Sequence, residues 1–396
     1  MALASGSGRS ERDRLMRVVL DGRIILPRMS GAGRYVVELA RRLPPLDPTL
    51  RLDVVLLPVL QRTGVPRLLE DAGARVVYCA ARVLTVRQWA AIPRLLRRIR
   101  PDLYHYPHFD LPAVPVPSVV TIYDLNPALL PGYFTRQPTL RRWVAHRLVR
   151  STLRRCRIAL VISETVRELL ERHFSEGRGK AQTIRLGVDP THWSAASDSG
   201  AEAEPLGDER RWRSRPYVLY VGVERPHKNL IRLVRAFARF HGSGQWSQAS
   251  APYLWLAGVG AGSRQLRGEL QRLGCAESVR LTDALTEPLL IRAYRGARVV
   301  AYVSTSEGFG LPILEALAAG VPLVAGNASS LPEVAGDAAT YVVPADEADI
   351  ARGLAVTWWD EALRRSLVDR GKRRVGEFSW EATARHTLQA YVDALR

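Results

Sequence analysis

Short apolar runs alternate along the chain with longer segments whose apolar residues recur every three or four positions. In the first half, the apolar runs predict strands at 17–21, 52–57, 75–78, 103–106, 119–123 and 158–163. The periodic segments predict helices at 34–43, 86–99, 140–155 and 164–174. This alternation is typical of a parallel sheet covered by helices.

A second alternating series begins after a break in composition. Residues 194–215 are rich in Ala, Ser, Glu, Asp and Gly and have no hydrophobic period, which predicts a linker. Beyond it, strands are predicted at 217–222, 253–258, 279–282, 298–303, 322–325 and 340–343, followed by a helix at 380–395. We therefore expect an α/β fold of two doubly wound, Rossmann-like domains, 16–193 and 216–378, facing a central cleft. Residues 1–15 are expected to form a disordered tail and 379–396 a terminal helix.

The cysteines and the apolar runs bear on where the protein works. Cys79, Cys156 and Cys275 are odd in number and widely spaced, which favours a reducing cytoplasm over a disulfide framework or a structural zinc site. No apolar run approaches the roughly 20 residues that span a bilayer. Residues 1–15 lack the apolar core of a signal peptide. A cytoplasmic protein is expected, with attachment to the inner face of a membrane left open.

The net charge of +18 lies mainly in the first half, where residues 1–200 contribute +15. Two stretches without acidic residues, 72–101 and 125–163, hold seven and eight arginines. Such blocks indicate either an anionic partner, such as a membrane surface, or a solvated basic face. Nucleic acid is not expected, because the arginines are not interleaved with aromatic residues and no nucleic-acid motif is present.

Residues 304–320 are the most informative segment. An apolar strand leads through Glu307, Gly308, Phe309 and Gly310 into a helix that begins near Leu311, with a proline in its first turn. The first amides of a helix have no partner within it, and glycines let a ligand approach the backbone. This loop is therefore predicted to bind a phosphate group.

Two carboxylates flank that predicted phosphate site. Glu315 lies about one turn into the helix, on the side that can face the same pocket as Glu307. Because carboxylates repel phosphate, they are expected to accept hydrogen bonds from hydroxyls at the two ends of a diphosphate, as in a nucleotide sugar. The alternative is that Glu315 only complements the helix dipole and Glu307 is solvated.

Three other loops that follow predicted strands contain candidate ligands. Lys228 lies at the mouth of a helix, where an ammonium can neutralise a diphosphate, or it is a simple surface charge. Gly31 and Gly33 begin the first long helix, a weak signal for anion binding. In the first domain, His105, His108 and Asp124 follow strands, although a lone histidine is often structural.

The segment from Glu307 to Glu315 resembles the spaced glutamate pair of the retaining glycosyltransferases of group 1 (GT4), which have the GT-B fold. The resemblance continues through 320–325 and 330–339 and covers the chain from about Arg17 to its end. It implies transfer of a hexose, with mannose or glucose the first guesses, from a nucleotide diphosphate sugar to a hydroxyl acceptor with retention of configuration. It also implies that the final helix crosses back onto the first domain.

The resemblance assigns roles to particular residues. Glu307, Asp124 and His108 are the expected catalytic residues. Many relatives have histidine before the aspartate where this chain has Tyr123, so an imidazole from His105 or His108 is the candidate replacement. The expected donor-binding residues are Gly31, Gly33, Arg225, Lys228, Gly308, Phe309, Gly310, Leu311 and Glu315. Arg225 is included because many members have an arginine beside the lysine, where this chain has His227.

No Asp-x-Asp triplet and no ligand-spaced His/Cys/Asp cluster occurs in the sequence. We therefore expect neither a metal nor another cofactor, so helix amides and Lys228 would neutralise the leaving diphosphate. The expected partners are a nucleotide sugar donor and a glycan or lipid-linked hydroxyl acceptor. Two alternatives stay open: a basic anion- or nucleic-acid-binding protein, and a GT-B sugar-nucleotide epimerase.

Overall fold

A computed structural model describes residues 15–27, 29–134, 137–194, 215–244, 246–247, 250–260 and 263–396. The described part contains two parallel sheets, one in each half of the chain. The fold expected from the pattern, two doubly wound α/β units, is confirmed. The predicted tail at 1–15 and linker at 194–215 lie almost wholly outside the described residues.

The first sheet has seven strands in the order β3-β2-β1-β4-β5-β6-β7. The strands are β1 Met16–Asp21, β2 Leu50–Leu56, β3 Arg75–Tyr78, β4 Leu103–Tyr106, β5 Ser118–Ile122, β6 Ile158–Val161 and β7 Ala181–Thr183. Strand β7 was not predicted, because it is only three residues long, contains Gln182 and Thr183, and has no buried residue.

Helices cover both faces of this sheet. They are α1 Gly31–Leu46, α2 Val65–Asp71, α3 Gln88–Ile99, α4 Asn126–Leu129, α5 Pro138–Arg155, α6 Glu164–His173 and α7 Pro190–Ser194. Ser30 caps α1 by accepting a hydrogen bond from the amide of Gly33, 3.1 Å away. Ser163 caps α6 in the same way, through the amide of Val166.

The second sheet has six strands in the order β10-β9-β8-β11-β12-β13. The strands are β8 Tyr217–Val221, β9 Tyr253–Ala257, β10 Val279–Thr282, β11 Val299–Tyr302, β12 Leu323–Gly326 and β13 Ala339–Val342. Its helices are α8 Leu230–Ser243, α9 Arg264–Arg272, α10 Glu287–Gly296, α11 Leu311–Ala318, α12 Leu331–Ala335, α13 Glu347–Trp359 and α14 Glu361–Val375.

Both sheets reverse their strand order at the centre, between β1 and β4 in the first and between β8 and β11 in the second. The central strands are fully buried, as Val18, Val119, Leu219 and Val300 illustrate. In doubly wound sheets, ligands bind outside the carboxyl ends of the strands at such a reversal. A ligand is therefore expected to contact the loops after β1, β4, β5, β8 and β11.

The last helix, α15 Trp380–Leu395, packs against α1 of the first half. Arg42 of α1 donates a hydrogen bond to Glu381 at 2.6 Å, and Tyr391 is within 2.7 Å of His105 Nδ1. The chain approaches so closely here that a Cβ on Gly187 would lie 2.1 Å from the Trp380 nitrogen. The two halves are thus connected by the returning helix as well as across the cleft.

Candidate active site

A cleft of about 570 Å³ separates the carboxyl ends of the two sheets. That volume is typical of a small-ligand site. From the first half it is lined by, among others, Gly31, Ala32, Arg34, His108, Tyr123, Asp124 and Tyr133. From the second half it is lined by Gly222, Lys228, Tyr302, Glu307, Gly308, Phe309, Gly310, Leu311 and Glu315. Most of the residues proposed from the sequence therefore face one cavity.

Hydrogen bonds from Ser330 fix the backbone of the loop before α11, residues 307–310. Ser330 Oγ donates to the carbonyl oxygens of Glu307 at 3.0 Å and Phe309 at 2.9 Å. Gly310 has a φ of 112°, a left-handed conformation that favours glycine, and α11 begins immediately after it. Phe309 is buried and packs edge-on against Phe378, 5.9 Å between ring centroids. The amino end of α11 therefore lines the cleft on a rigid support, although Pro312 has no N–H and the Ile313 amide already donates to the Gly310 carbonyl at 2.9 Å.

The amino end of α1 approaches the amino end of α11 across the cleft. A Cβ added to Gly31 would lie 3.2 Å from Leu311 Cδ1. The helix dipoles thus place two partially positive ends near one another, an arrangement suited to an anion with two phosphates. Gly33, in contrast, does not line the cleft, and its amide is already bonded to Ser30.

Lys228 lies in the loop after β8, and its side chain is bonded to the end of β11 and to the loop that follows β11. Its Nζ donates to Glu307 Oε1 at 2.7 Å and Oε2 at 2.9 Å, and to the hydroxyl of Tyr302 at 2.8 Å. The Tyr302 ring stacks on Tyr220, which fixes its position. Lys228 is therefore a buried, ordered cation beside the α11 amides, and the surface-charge interpretation is wrong.

Glu315 is buried on α11 with two partners from other elements. Its Oε2 accepts a hydrogen bond from Tyr294 at 2.9 Å, and its Oε1 lies 3.9 Å from Arg34 Nη1. Burial raises the pKa of Glu315, and Arg34 and Tyr294 offset only part of the increase. A buried carboxylate with free lone pairs toward a cleft is suited to accept hydrogen bonds from hydroxyls.

Arg34 connects the two halves of the cleft, and nothing in the sequence indicated its role apart from its position after two glycines. Its Nη2 donates to Glu287 at 2.8 Å, and its guanidinium lies 5.4 Å from the Trp193 ring centroid. Trp193 in turn packs edge-on against Tyr294. These contacts place a cation from α1 against the carboxylate of Glu315 from α11.

His108 and Asp110 form a hydrogen-bonded pair after β4. His108 Nδ1 is bonded to Asp110 Oδ1, while the imidazole stacks on Phe109 at the edge of the cleft. Burial favours a raised pKa for Asp110, but hydrogen bonds from His108, Tyr106 and Gln88 outweigh it and lower that pKa. Asp110 is therefore an ionised anchor that orients the imidazole.

His105, the other histidine considered from the sequence, is not a site residue. It is fully buried behind the sheet, where its two nitrogens bond the hydroxyls of Tyr391 and Thr121, both at 2.7 Å. Burial lowers the pKa of His105 to about 3, so it stays neutral. Its role is to join α15 to the first sheet.

Asp124 and Tyr123 lie at the end of β5. Asp124 faces the cleft and accepts a hydrogen bond from the amide of Asn126 at 2.8 Å. Burial raises the pKa of Asp124, and the Glu307 carboxylate adds to the increase. The Tyr123 hydroxyl points away toward α1, where it lies 3.4 Å from the carbonyl of Ala32. His108 is therefore the imidazole available in this part of the cleft.

The two halves touch directly at the floor of the cleft. A Cβ on Gly308 would lie 1.7 Å from the carbonyl oxygen of Tyr123, so only glycine fits. Ser163 Oγ donates to the carbonyl of Gly308 at 2.7 Å. Nearby, Ser306 Oγ donates to Asn126 Oδ1 at 2.6 Å. The loop that contains Ser306 and Gly308 is thus supported by the opposite domain.

Glu333 of α12 makes a further contact between the halves that the sequence did not indicate. Its carboxylate accepts from the amides of Glu164 at 3.0 Å and Thr165 at 3.2 Å. These amides begin α6, so the glutamate caps a helix of the other domain. Its tertiary partner explains why the sequence pattern alone missed it.

Arg225, which was expected to bind the donor, is exposed and does not line the cleft, although its charge lies near Tyr133. Among the described residues, no group of three His, Cys, Asp or Glu side chains could hold a metal ion. His227, two residues after Arg225, stacks its ring on Tyr133, 5.8 Å between centroids.

Two doubly wound sheets with a shared cleft define the GT-B class of fold, and comparison with known proteins agrees. The family model for glycosyl transferases group 1 matches residues 208–374, and that for Glycosyltransferase Family 4 matches residues 29–192. Together the two matches cover both domains. The chain belongs to the group 1 glycosyltransferases and is an enzyme of that kind.

Curated relatives are consistent with this assignment. The chain is 26% identical over 389 residues to O-antigen chain mannosyltransferase B of Escherichia coli, which covers 95% of this chain and 99% of that protein. It is 30% identical over 247 residues to a D-inositol 3-phosphate glycosyltransferase of Nocardia farcinica. That match spans 59% of this chain and only 51% of the relative.

Solved structures show the same fold at low identity. Sucrose-phosphate synthase from Thermosynechococcus elongatus superposes with a TM-score of 0.74 at 19% identity, covering 96% of this chain and 98% of that one. HepE of Anabaena in complex with UDP-glucose superposes with a TM-score of 0.71 at 16% identity, covering 96% of this chain and all of that one.

Proposed function

We propose that the protein transfers a hexose from a nucleotide diphosphate sugar to a hydroxyl acceptor, with retention of configuration and without a metal ion. One observation supports this most strongly. The ammonium of Lys228 and the amino end of α11 line a single cleft together with two carboxylates, Glu307 and Glu315. A diphosphate with a sugar at each end has the matching order of charges and hydroxyls.

In this proposal the diphosphate lies at the start of α11, near Gly310 and Lys228. Glu315 binds ribose hydroxyls, because it lies one turn into the helix and has a free side toward the cleft. Glu307 binds hexose hydroxyls on the other side of the phosphates. Asp124 and His108 face the hexose from the first domain, with Asp110 fixing the imidazole.

The chemistry proposed for the site is electrostatic. The bond that breaks joins the anomeric carbon to a diphosphate oxygen, so negative charge develops on the leaving group. Lys228 and the α11 amides are in place to stabilise it before the donor arrives. The acceptor hydroxyl attacks from the face that the diphosphate leaves and passes its proton to the departing diphosphate oxygen, which keeps the configuration at that carbon.

The choice of sugar rests on relatives. Mannose is the first choice because two relatives are O-antigen mannosyltransferases. Glucose is the second choice because a structural neighbour was solved with UDP-glucose. The acceptor is proposed to be a glycan or lipid-linked hydroxyl in cell-surface glycan or glycolipid synthesis.

Thermal-shift screening of the full chain against GDP-mannose, UDP-glucose and other nucleotide sugars identifies the donor, and a transfer assay with and without EDTA tests the chemistry. We expect one nucleotide sugar to raise the melting temperature and transfer to survive EDTA. Loss of transfer on chelation, with recovery on adding manganese, would overturn the metal-free proposal. An inverted product would overturn retention.

A further inference from the structure

The outward face of α5 combines apolar and basic side chains in a way that the cleft does not use. Leu140, Trp143 and Val144 lie at helical spacing and are 54%, 59% and 40% exposed. Large apolar groups this exposed on one helix face usually mark a contact surface. We call Leu140, Trp143, Val144 and Arg147, together with Arg141 and Arg142 at the flanks, the α5 face.

The basic residues of the α5 face differ in their ion pairs from the arginines farther along the helix. Arg150 and Arg154, farther along the helix, both bond Glu176 at 2.9 Å. No such ion pair within the described ranges involves Arg141, Arg142 or Arg147. Arg147 instead lies over the Trp143 ring, 5.5 Å from its centroid, with its aliphatic stem along the apolar surface.

A second exposed tryptophan lies beside the other end of the helix. The guanidinium of Arg155 is 5.2 Å from the Trp89 ring centroid, and Val86 next to it is 88% exposed. Arg82 and Arg87 in this region are also exposed. Tryptophans and arginines therefore occur at both ends of α5, as on proteins that lie against a membrane interface.

We propose that the α5 face binds the surface of a bilayer that contains anionic lipids. The arginines match the lipid charge, and the tryptophan and aliphatic side chains match the headgroup–acyl boundary. None of the described helices is long and apolar enough to cross a membrane, so the contact proposed is peripheral. The inference concerns binding alone and holds whichever sugar the cleft uses.

Two other occupants fit the α5 face less well. A second copy packed symmetrically through this face would bring Arg141, Arg142 and Arg147 against the same arginines, which repel. Nucleic acid would use the arginines but not the exposed Leu140 and Val144, because phosphates gain nothing from aliphatic contact.

The α5 face lies next to the cleft along the chain. Helix α4 packs against α5, and Asn126 at its start bonds Ser306 beside Glu307. Tyr133 lines the cleft and stacks on His227 a few residues before α5 begins. A bilayer bound here would hold the mouth of the cleft near the headgroups, where a lipid-linked acceptor presents its hydroxyls.

Co-sedimentation of the full chain with vesicles tests the proposal. The vesicles are phosphatidylcholine alone, or mixed with phosphatidylglycerol, each at low and high salt. We expect binding to the anionic vesicles that weakens with salt, because screening removes the charge contribution. Binding that is equal on neutral and anionic vesicles, or absent from both, overturns the proposal.

Matched variants locate the surface. Arg141→Glu with Arg147→Glu is expected to weaken binding at least about 25-fold, since each basic residue near an anionic surface contributes about fivefold. The control is Arg264→Glu with Arg267→Glu, the same charge change on exposed arginines of α9. Trp143→Ser is expected to reduce binding even at high salt, whereas Trp359→Ser, also 59% exposed, should not.

The alternatives give distinct results. If binding follows the control variants as much as the α5 variants, a general effect of net charge explains it and the proposed surface is wrong. Retention by a DNA column without retention by vesicles, or a dimer in gel filtration that Trp143→Ser abolishes, would also overturn the proposal.

Discussion

Lys228 and Glu307 form a two-point contact inside the cleft, with Nζ 2.7 Å from Oε1 and 2.9 Å from Oε2. Both side chains are largely buried, at 14% and 10% exposed. They come from loops after different strands, β8 and β11, and the buried Tyr302 adds a third bond. The ammonium is therefore positioned before any ligand binds, which is the condition for efficient electrostatic stabilisation.

Removing this ammonium should reduce both nucleotide binding and transfer. We expect Lys228→Met to lower kcat/KM by about 100- to 1,000-fold, the usual effect of losing one preorganised donor to developing charge. Isothermal titration with the nucleoside diphosphate and initial-rate kinetics measure the two effects. Lys372→Met, at an exposed position of α14, is the control.

The substitution also leaves Glu307 buried without its cation, which destabilises the fold. Lys228→Met combined with Glu307→Gln separates the two effects. The double variant should regain thermal stability but not nucleotide affinity. Nucleotide affinity close to that of the wild type in either variant would show that the diphosphate lies elsewhere.

Gly308 tests the contact between the two domains. Gly308→Ala would place a Cβ 1.7 Å from the carbonyl oxygen of Tyr123, so the domains must separate locally to accommodate it. We expect transfer to fall by more than about tenfold, because misplacement by 1 Å is costly in catalysis. Far-UV circular dichroism should stay unchanged. Gly268→Ala, where nothing lies within 4 Å of the added Cβ, is the control.

An unchanged rate for Gly308→Ala would mean that the enzyme does not work with the domains in this arrangement. Small-angle scattering of the same variant measures the separation directly. A larger radius of gyration together with slow transfer would connect the two effects.

The sequence predicted the fold well because its signals are local. The central strands are short apolar runs, and each is followed by a loop with glycine, proline or a charged residue, so β5, β8 and β11 were found close to their observed ends. Strand β7 was missed because it is a polar edge strand held only by its neighbour β6. Edge strands lack the hydrophobic pattern on which prediction depends.

The site was predicted only in part, because its remaining partners are distant in sequence. Glu307, Lys228 and Asp124 follow predicted strands, so the hydrophobic pattern of the sequence was enough to place them at the edge of a sheet. Nothing local shows that Arg34 reaches Glu315, or that Glu333 caps a helix of the other domain. Likewise, the sequence did not show which histidine faces the cleft. The structure does, because His105 is fully buried and His108 lines the cleft.

Glu315 predicts a pH-dependent stability. Burial raises the pKa of its folded carboxyl above the ordinary value of 4.5, so the unfolded chain loses its proton first as pH rises. The free energy of unfolding therefore falls as the pH rises above about 4.5, and below that pH this group does not change it. We expect Glu315→Gln to raise the melting temperature at pH 7 and to have no effect at pH 4.

The size of that gain should be about 1 °C for each kcal/mol recovered, because the entropy of unfolding grows with chain length. Donor affinity should fall in the same variant, because an amide replaces a carboxylate facing hydroxyls. Glu168→Gln, at an exposed position of α6, is the control for both measurements. A lower melting temperature at pH 7 would contradict the sign argued from burial.

His108 and Asp110 lead to the last prediction, which separates a contacting residue from a positioning one. If the imidazole contacts the hexose, His108→Ala should lower kcat/KM by about 2- to 10-fold, the effect of losing a hydrogen bond worth about 0.5–1.5 kcal/mol. Affinity for the nucleoside diphosphate should not change, since the proposed nucleotide position is on the other side of Lys228. His386→Ala, exposed on α15, is the control.

Asp110 acts through the imidazole, so its effect must depend on His108. Asp110→Asn keeps an oxygen to accept from Tyr106, 2.7 Å away, but removes the charge that orients His108. We expect a smaller loss than for His108→Ala and no further loss when the two changes are combined, because residues that act in series are not additive. If the two losses instead multiply in the double variant, Asp110 contributes independently of the imidazole, and the orienting role assigned to it is wrong.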